Sequence, residues 1–385
     1  MEESHHLPSY ESAISKDPLP LIAPYLGPQT LLSCLLVCWR WSKIFKTAID
    51  QHPHVFFETR HRSRLAGFLK WLAVGNKFGL KKLNLEDLQA DVYSVIPEDW
   101  LLRILETNCM DLNLCHTSFL DDKSLRRATI RKHNSTLTCL FLASPAVSYV
   151  LLGKLLSMLQ LEHLALRDAV INEQLLLKLP YTLRTIDLMH SRITNKHVRI
   201  IAERMKTNLL SLNLENTSIS DAAIISLLDY CFLPPGYDTS HSTHGMRHLL
   251  IAGTRVSEKM TSRLISTSVL HGISCDYQID FSHSPHLVFL SLPSSQQMVI
   301  PSTVEKLVLF QVGSGEWPCI LQKVSRTNVR SLTVRIKEIN EDFGDFSEIS
   351  SSDIAEEILQ YRPRFRGRLQ IEWKISDGEW GLQQY

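Results

Sequence analysis

His241, His244 and His248 lie three and four residues apart, and Cys231 stands ten before the first of them. That spacing suits metal ligation, and imidazole and thiolate are donors that zinc accepts. The three histidines, however, cross a loop and enter the start of a strand pattern with no second ligand pair nearby. A zinc site needs four fixed ligands with supporting bonds, so ordinary loop histidines are the expectation. "VGSGEW" at Val312 has a Gly-x-Gly without a third glycine or a following helix, and reads as a turn. No Walker loop, HExxH or GxSxG is present. Cys34 and Cys38 are one helical turn apart in an apolar stretch, the placement of packed thiols. No catalytic residue, metal ligand or cofactor is expected, which leaves binding as the chemistry to explain.

The totals narrow what could be bound. The chain has 385 residues, 44% of them apolar, and a net charge of +1. So even a balance lacks the basic face that bulk nucleic acid or an anionic membrane requires, and neither partner is expected. The start, "MEESHHLPSY", has no basic n-region and no apolar h-region, so no signal peptide is visible. The eight cysteines are scattered without a CxxC. A reduced protein, cytoplasmic and/or nuclear, fits that usage.

The elements come from a period. The template apolar-x-x-L-x-L recurs as "LKKLNL" (Leu80–Leu85), "CMDLNL" (Cys109–Leu114), "LTCLFL" (Leu137–Leu142) and "LEHLAL" (Leu161–Leu166). It continues as "LRTIDL" (Leu183–Leu188), "LLSLNL" (Leu209–Leu214) and "MRHLLI" (Met246–Ile251). Weaker copies start at Leu287, Val304 and Val329, and a degenerate one lies near Arg366. The first six begin 22 to 29 residues apart. After each strand a small residue (Thr117, Ala169, Ser191, Thr217, Thr254) makes a cramped turn. An apolar plug follows two later (Phe119, Ile171, Ile193, Ile219, Val256). Asn172, Thr194, Ser220 or Ser257 then stands where a helix N-cap belongs. A single strand–turn–helix unit cannot bury its own leucines, whereas stacked units can.

This pattern resembles leucine-rich repeats of the ribonuclease-inhibitor-like kind. The expected fold class is α/β, a small helical domain followed by a horseshoe solenoid with parallel strands on the concave side and helices on the convex side. The expected boundaries are a helical domain over 1–51 and a helical linker or cap over 52–79. The repeat solenoid would cover 80–337 with a loop insertion at 231–245, and 338–385 would hold an acidic insertion and a capping strand. A small residue replaces the asparagine of other repeat classes, so no continuous asparagine ladder is expected. Residues 338–357 carry eight carboxylates and no base.

Strand side chains alternate, so the residues between the leucines should line the concave face. Those singled out as target-binding are Phe141, His163, Arg167, Asp187, Met189, Asn213, Glu215 and Leu250, with Ala165, His248 and Phe289 on the same lines. Large apolar residues and arginine in such places are common anchors for a protein partner. The competing reading has the acidic insertion or the 231–245 loop folding over this face. Phosphate recognition would want clustered arginines, and the face offers mainly Arg167.

The N-terminal stretch "LLSCLLVCWRWSKIF" (Leu31–Phe45) is apolar nearly all round, so it must be covered on two sides. One cover can come from its own small domain. The other must be the repeat array, with this stretch as its cap, or another protein; "RLAGFLKWLAVG" within 52–79 could cap the array instead. "LPSYESA…LIAPYLGPQTLLSCLLVCWRWSKIF" resembles an F-box of the fungal form, matching at Leu7 and Pro8, Tyr25 and Leu26, and Leu36, Val37, Cys38 and Trp41. The resemblance implies a Skp-type linker as the second cover, bound through Leu7, Pro8, Leu21, Ile22, Tyr25, Leu26, Leu31, Leu35, Leu36, Val37, Cys38 and Trp41. It further implies a substrate adaptor of a Skp–cullin–F-box ubiquitin ligase, tied through the linker to a cullin–RING ligase, with the repeats holding a protein substrate. A leucine-rich scaffold acting outside ubiquitin ligation is the alternative.

Overall fold

The computed structural model describes residues 56–58, 82–86, 98–107, 109–117, 120–130, 135–143, 145, 147–233, 244–277, 279–281, 284–293, 299–312, 317–336, 368–374 and 380–384. The proposed linker-binding residues between Leu7 and Trp41, the plug Phe119 and the acidic stretch 338–357 lie outside them. The chain divides into two compact units, Met1–Ala165 with Lys178–Pro180, and Leu166–Leu177 with Tyr181–Tyr385.

In the first unit, β1 (Phe56–Glu58), β2 (Lys82–Asn84), β3 (Asp111–Asn113) and β4 (Cys139–Ala143) pair in parallel in that order. Phe56, Lys82, Asp111 and Cys139 share one register line. The template explains the faces: Leu83, Leu112 and Leu140 point inward and are buried, while the residues between template leucines stay half-exposed. Three helices, α1 (Trp100–Leu105), α2 (Asp122–Ala128) and α3 (Tyr149–Leu156), supply Trp100, Ile104, Leu125 and Leu155 to the same core. Each fully buried leucine is worth roughly 1.5–3 kcal/mol, which none would gain in an isolated repeat. The strand β1 departs from expectation, since it falls in 52–79, where a helical linker was expected. "VFF" is a run of β-branched and aromatic residues, which favours pairing beside β2.

The division between units falls inside β5 (His163–Arg167). In the second unit the parallel order is β6 (Thr185–Asp187), β7 (Ser211–Asn213), β8 (His248–Leu250), β9 (Gly272–Ser274), β10 (Phe289–Pro293), β11 (Lys306–Val312), β12 (Ser331–Ile336) and β13 (Arg368–Lys374). A final strand, β14 (Trp380–Gln384), turns back antiparallel on β13. Between strands run α4 (Glu173–Leu176), α5 (Asn195–Met205), α6 (Asp221–Tyr230), α7 (Glu258–Thr267) and α8 (Trp317–Val324). This is a leucine-rich-repeat solenoid, mixed α/β with a parallel sheet.

Two details differ from the sequence reading. The strand β9 is a template copy that leucine counting misses, because its core positions are Leu270, Ile273 and Cys275. Between β9 and β10, and between β10 and β11, no helix occurs among the described residues, although every repeat was expected to carry one. Those returns span only 14 and 12 residues, and Pro285 and Pro301 disfavour helix within them.

A recurrent turn ends the repeats. His116, Asp168, His190, Asn216 and Gly253 each stand two residues past the last template position, with φ of 55°, 50°, 58°, 55° and 71°. Left-handed backbone there aims the N–H of Asp168, His190 and Asn216 at the carbonyls of Met189, Glu215 and Ala252, at 3.1, 3.0 and 2.8 Å. The small residue that follows also bonds: the hydroxyls of Thr117, Thr217 and Thr254 donate to the carbonyls of Leu114, Leu214 and Ile251 at 3.0, 2.7 and 2.7 Å. The plugs Ile171, Ile193, Ile219 and Val256 are buried as expected.

Helix starts are joined sideways. Asn172 Oδ1 accepts from the Leu175 N–H at 2.8 Å, and Ser257 Oγ from that of Met260 at 3.2 Å. The first residue of one helix also reaches the cap of the next. Asp122 accepts from the Ser148 N–H at 2.6 Å, and Asn195 exchanges two bonds with Ser220 at 2.8 and 2.9 Å. Asp221 accepts from Ser257 N–H and Oγ–H at 2.7 and 2.8 Å. This cap-to-cap ladder ties successive repeats where an asparagine ladder was not expected.

Candidate binding face

The face turned away from the leucines is built by one recurring motif, an Asn or Asp between the last two template positions. Its side-chain oxygen accepts from the N–H two residues on: Asn84 from Glu86, Asn113 from Cys115, Asp187 from Met189 and Asn213 from Glu215, at 2.9–3.0 Å. A short polar side chain thereby satisfies a backbone donor just past the strand, which a leucine there could not do.

In the first unit this face carries a Lys82–Asp111 ion pair at 3.0 Å and an Asn113–Glu86 bond at 3.1 Å. Half-exposed Cys139, Phe141 and His163 stand on it. Ala165, expected beside them, is buried. Burial pushes the Cys109 thiol up to about 12 and raises that of Cys139. Burial also takes Cys231 and Cys275 up to about 12. These thiols stay protonated at neutral pH, which removes them as nucleophiles.

In the second unit Arg167 meets Asp187 in a fork, Nε at 2.8 Å and a terminal nitrogen at 2.7 Å from the same Oδ2. The other oxygen of Asp187 holds the Met189 N–H at 3.0 Å. One carboxylate thus fixes both the strand end and the arginine. Met189, Asn213, Glu215 and Leu250 are half-exposed, with Leu250 level with Asn213 and Ser274 on its two neighbouring strands. Glu215 accepts from the Ser274 hydroxyl. The Asp276 carboxylate accepts from the Gly253 N–H at 2.7 Å, and burial raises its pKa against the pull of that bond. Phe141 and His163 belong to the first unit and the other six predicted target-binding residues to the second.

Of the edge where the strands begin, the sequence reading included His248 and Phe289 but not Arg247, His271 or His286. Gly272 has no side chain, so His248 from one side and Phe289 from the other lie over its Cα; a methyl there would overlap His248 Nδ1 and touch Phe289 Cδ1 at 3.2 Å. His248, His271 and His286 form a row on successive repeats, ring centroids 6.5 and 6.0 Å apart. The signal was present as Arg247 and His271 just after the template's first apolar position, with His286 just ahead of it. It was hidden because only the alternating positions nearer the leucines were taken to line the face.

Among the described residues no three His, Cys, Asp or Glu side chains converge as metal ligands, and no helix is long and apolar enough to cross a membrane.

No protein-family model matches the chain, and no curated protein matches it. Among solved structures it is similar to a chain in the crystal structure of the Rad7 and Elc1 complex in yeast. That likeness has 14% identity and a TM-score of 0.44, covering 91% of this chain and 100% of that one. It is also similar to the crystal structure of an internalin, InlF, from Listeria monocytogenes str. 4b F2365. There the identity is 13% and the TM-score 0.38, over 86% of this chain and 98% of that one. At these values neither likeness bears on what this chain binds.

Proposed function

We propose that the chain is a substrate-recognition adaptor of a Skp–cullin–F-box ubiquitin ligase. The sheet face of its repeats, turned away from the leucines, holds a protein target, and its N-terminal segment holds the linker subunit. The observation that carries the recognition half is the Arg167–Asp187 fork beside Met189. An arginine already immobilised by a carboxylate that also caps its strand loses little freedom on binding, and it stands next to an apolar side chain that a partner could cover. The face is an open sheet surface with side chains from successive strands, which suits a protein partner better than a small ligand held in a cleft. The ligase half rests on Leu7–Trp41 and their resemblance to an F-box. The chain would then contribute proximity and no catalytic side chain, raising the effective concentration of target lysines near the ubiquitin-carrying enzyme.

Co-purification with a Skp-type linker tests the ligase half. The full chain should retain the linker, and a Leu36→Asp, Trp41→Asp chain of equal abundance should not. Equal recovery by both would leave only the protein-recognition reading.

A further inference from the structure

We infer that the edge of the second unit where β8 to β12 begin is a docking strip for a carboxylate-rich protein segment, whose binding is coupled to proton uptake by His248 and His271. This rests on reading the repeats as a protein-recognition surface, and it names the chemistry of one part of the target.

Three observations carry it. First, the strip is mostly basic. Its strand-start positions hold Arg247 and His248, then His271, with His286 just ahead of β10, then Lys306 and Arg330. Glu305 is the one carboxylate among these positions, and it faces Arg330 at 3.8 Å. The opposite edge, where strands end, carries Asp168, Glu215 and Asp276, with Asp187 paired to Arg167. An acidic segment is therefore drawn to the strand-start edge rather than to the other.

Second, the rings of neighbouring repeats lie in a tilted row with centroids 6.5 and 6.0 Å apart, so charge gained on one lies beside the next. Of the charged groups, Arg247, just ahead of β8, acts on His248 and His271, and Lys306 of β11 lies over the Phe289 ring of β10 at 5.5 Å. Third, His271 Nδ1 is buried with no hydrogen-bond partner among the described residues. Burial, then Arg247, hold both His248 and His271 below the ordinary histidine value, with the neighbouring rings adding to the effect on His271. The free strip resists protonation, and carboxylates laid along it relieve that resistance. By linkage, a ligand that eases protonation binds more tightly as pH falls through the histidine range.

Fluorescence anisotropy with the full chain tests this. The probes are a fluorescein-labelled peptide of alternating Glu and Ser, its Gln/Ser counterpart, and a short single-stranded DNA of matching charge. The Glu peptide should bind about fivefold or more tightly at about pH 6 than at about pH 7.5, and the Gln peptide should not bind. His248→Gln with His271→Gln should abolish the pH gain, and Arg247→Gln should weaken binding at both pH values. In case a variant misfolds, imidazole NMR titration of the wild-type chain is a second readout, with ring pKa values expected to rise on peptide addition. Affinity independent of pH, a gain retained in the double variant, unshifted rings, or preference for the DNA would each overturn the inference. So would peptide binding that emerges only after the eight carboxylates of 338–357 are changed to amides, since the chain's own segment would then be the occupant. Target capture through Arg167 and Leu250 is measured separately, so its failure and the failure of the strip are distinguishable.

Discussion

At the scale of single residues, the repeat turn shows how much a side chain can be chosen for its backbone. His116, Asp168, His190, Asn216 and Gly253 share no chemistry except tolerance of positive φ. The small turn residues were legible because each position is filled by Ala, Ser or Thr, but their hydroxyl bonds to strand-end carbonyls were not. The left-handed position one residue earlier was illegible, since no periodicity of hydropathy marks it. Gly253 is the most constrained of the five: a Cβ would overlap Asn216 Oδ1 and come within 3.3 Å of its Cα. Gly253→Ala should therefore cost more than about 1 kcal/mol in chemical denaturation, above the ordinary glycine-to-alanine range, because conformation and space are both wrong. A neutral or stabilising result would show that the turn can relax.

At the scale of elements, strands and plugs could be read from leucines, and the lateral ties could not. The caps Asn172, Thr194, Ser220 and Ser257 were expected as local devices. The bonds that Ser220 and Ser257 make to the neighbouring repeat depend on stacking distance, which no single repeat encodes. Asp221 accepts from both the N–H and the hydroxyl of Ser257. Asp221→Ala should lower stability by about 1–2 kcal/mol, seen as a shifted denaturant midpoint at unchanged slope. The strand starts β8 and β9 set a pH dependence of their own. His248 and His271 lie below 6.5 when folded, so the unfolded chain binds more protons there. Stability is complete above that pH and declines as pH falls through 6.5 toward the folded values. The thermal midpoint should drop on acidification from about pH 7.5 to about pH 5.5. A His248→Gln, His271→Gln chain should drop less. Equal slopes in both chains would show that other groups govern the acid limb.

At the scale of the whole molecule, the repeat class followed from one sequence because an error in any single copy is outvoted by its neighbours. Leucine counting still passed over β1, where Phe57 is level with Leu83, and β9, where Ile273 and Cys275 stand in for leucine. The sheet face turned away from the leucines was legible as a set of positions. Its organisation was not, since the Arg167–Asp187 fork needs two strands in register. The central claim is that this face selects a protein target while the N-terminal segment serves the ligase. Proximity labelling from the full chain carrying Leu36→Asp and Trp41→Asp, which should leave targets undegraded, tests it most directly. The account expects a reproducible set of labelled proteins that vanishes when Arg167→Ala and Leu250→Asp are added at equal chain abundance. The same set surviving those two substitutions would contradict it.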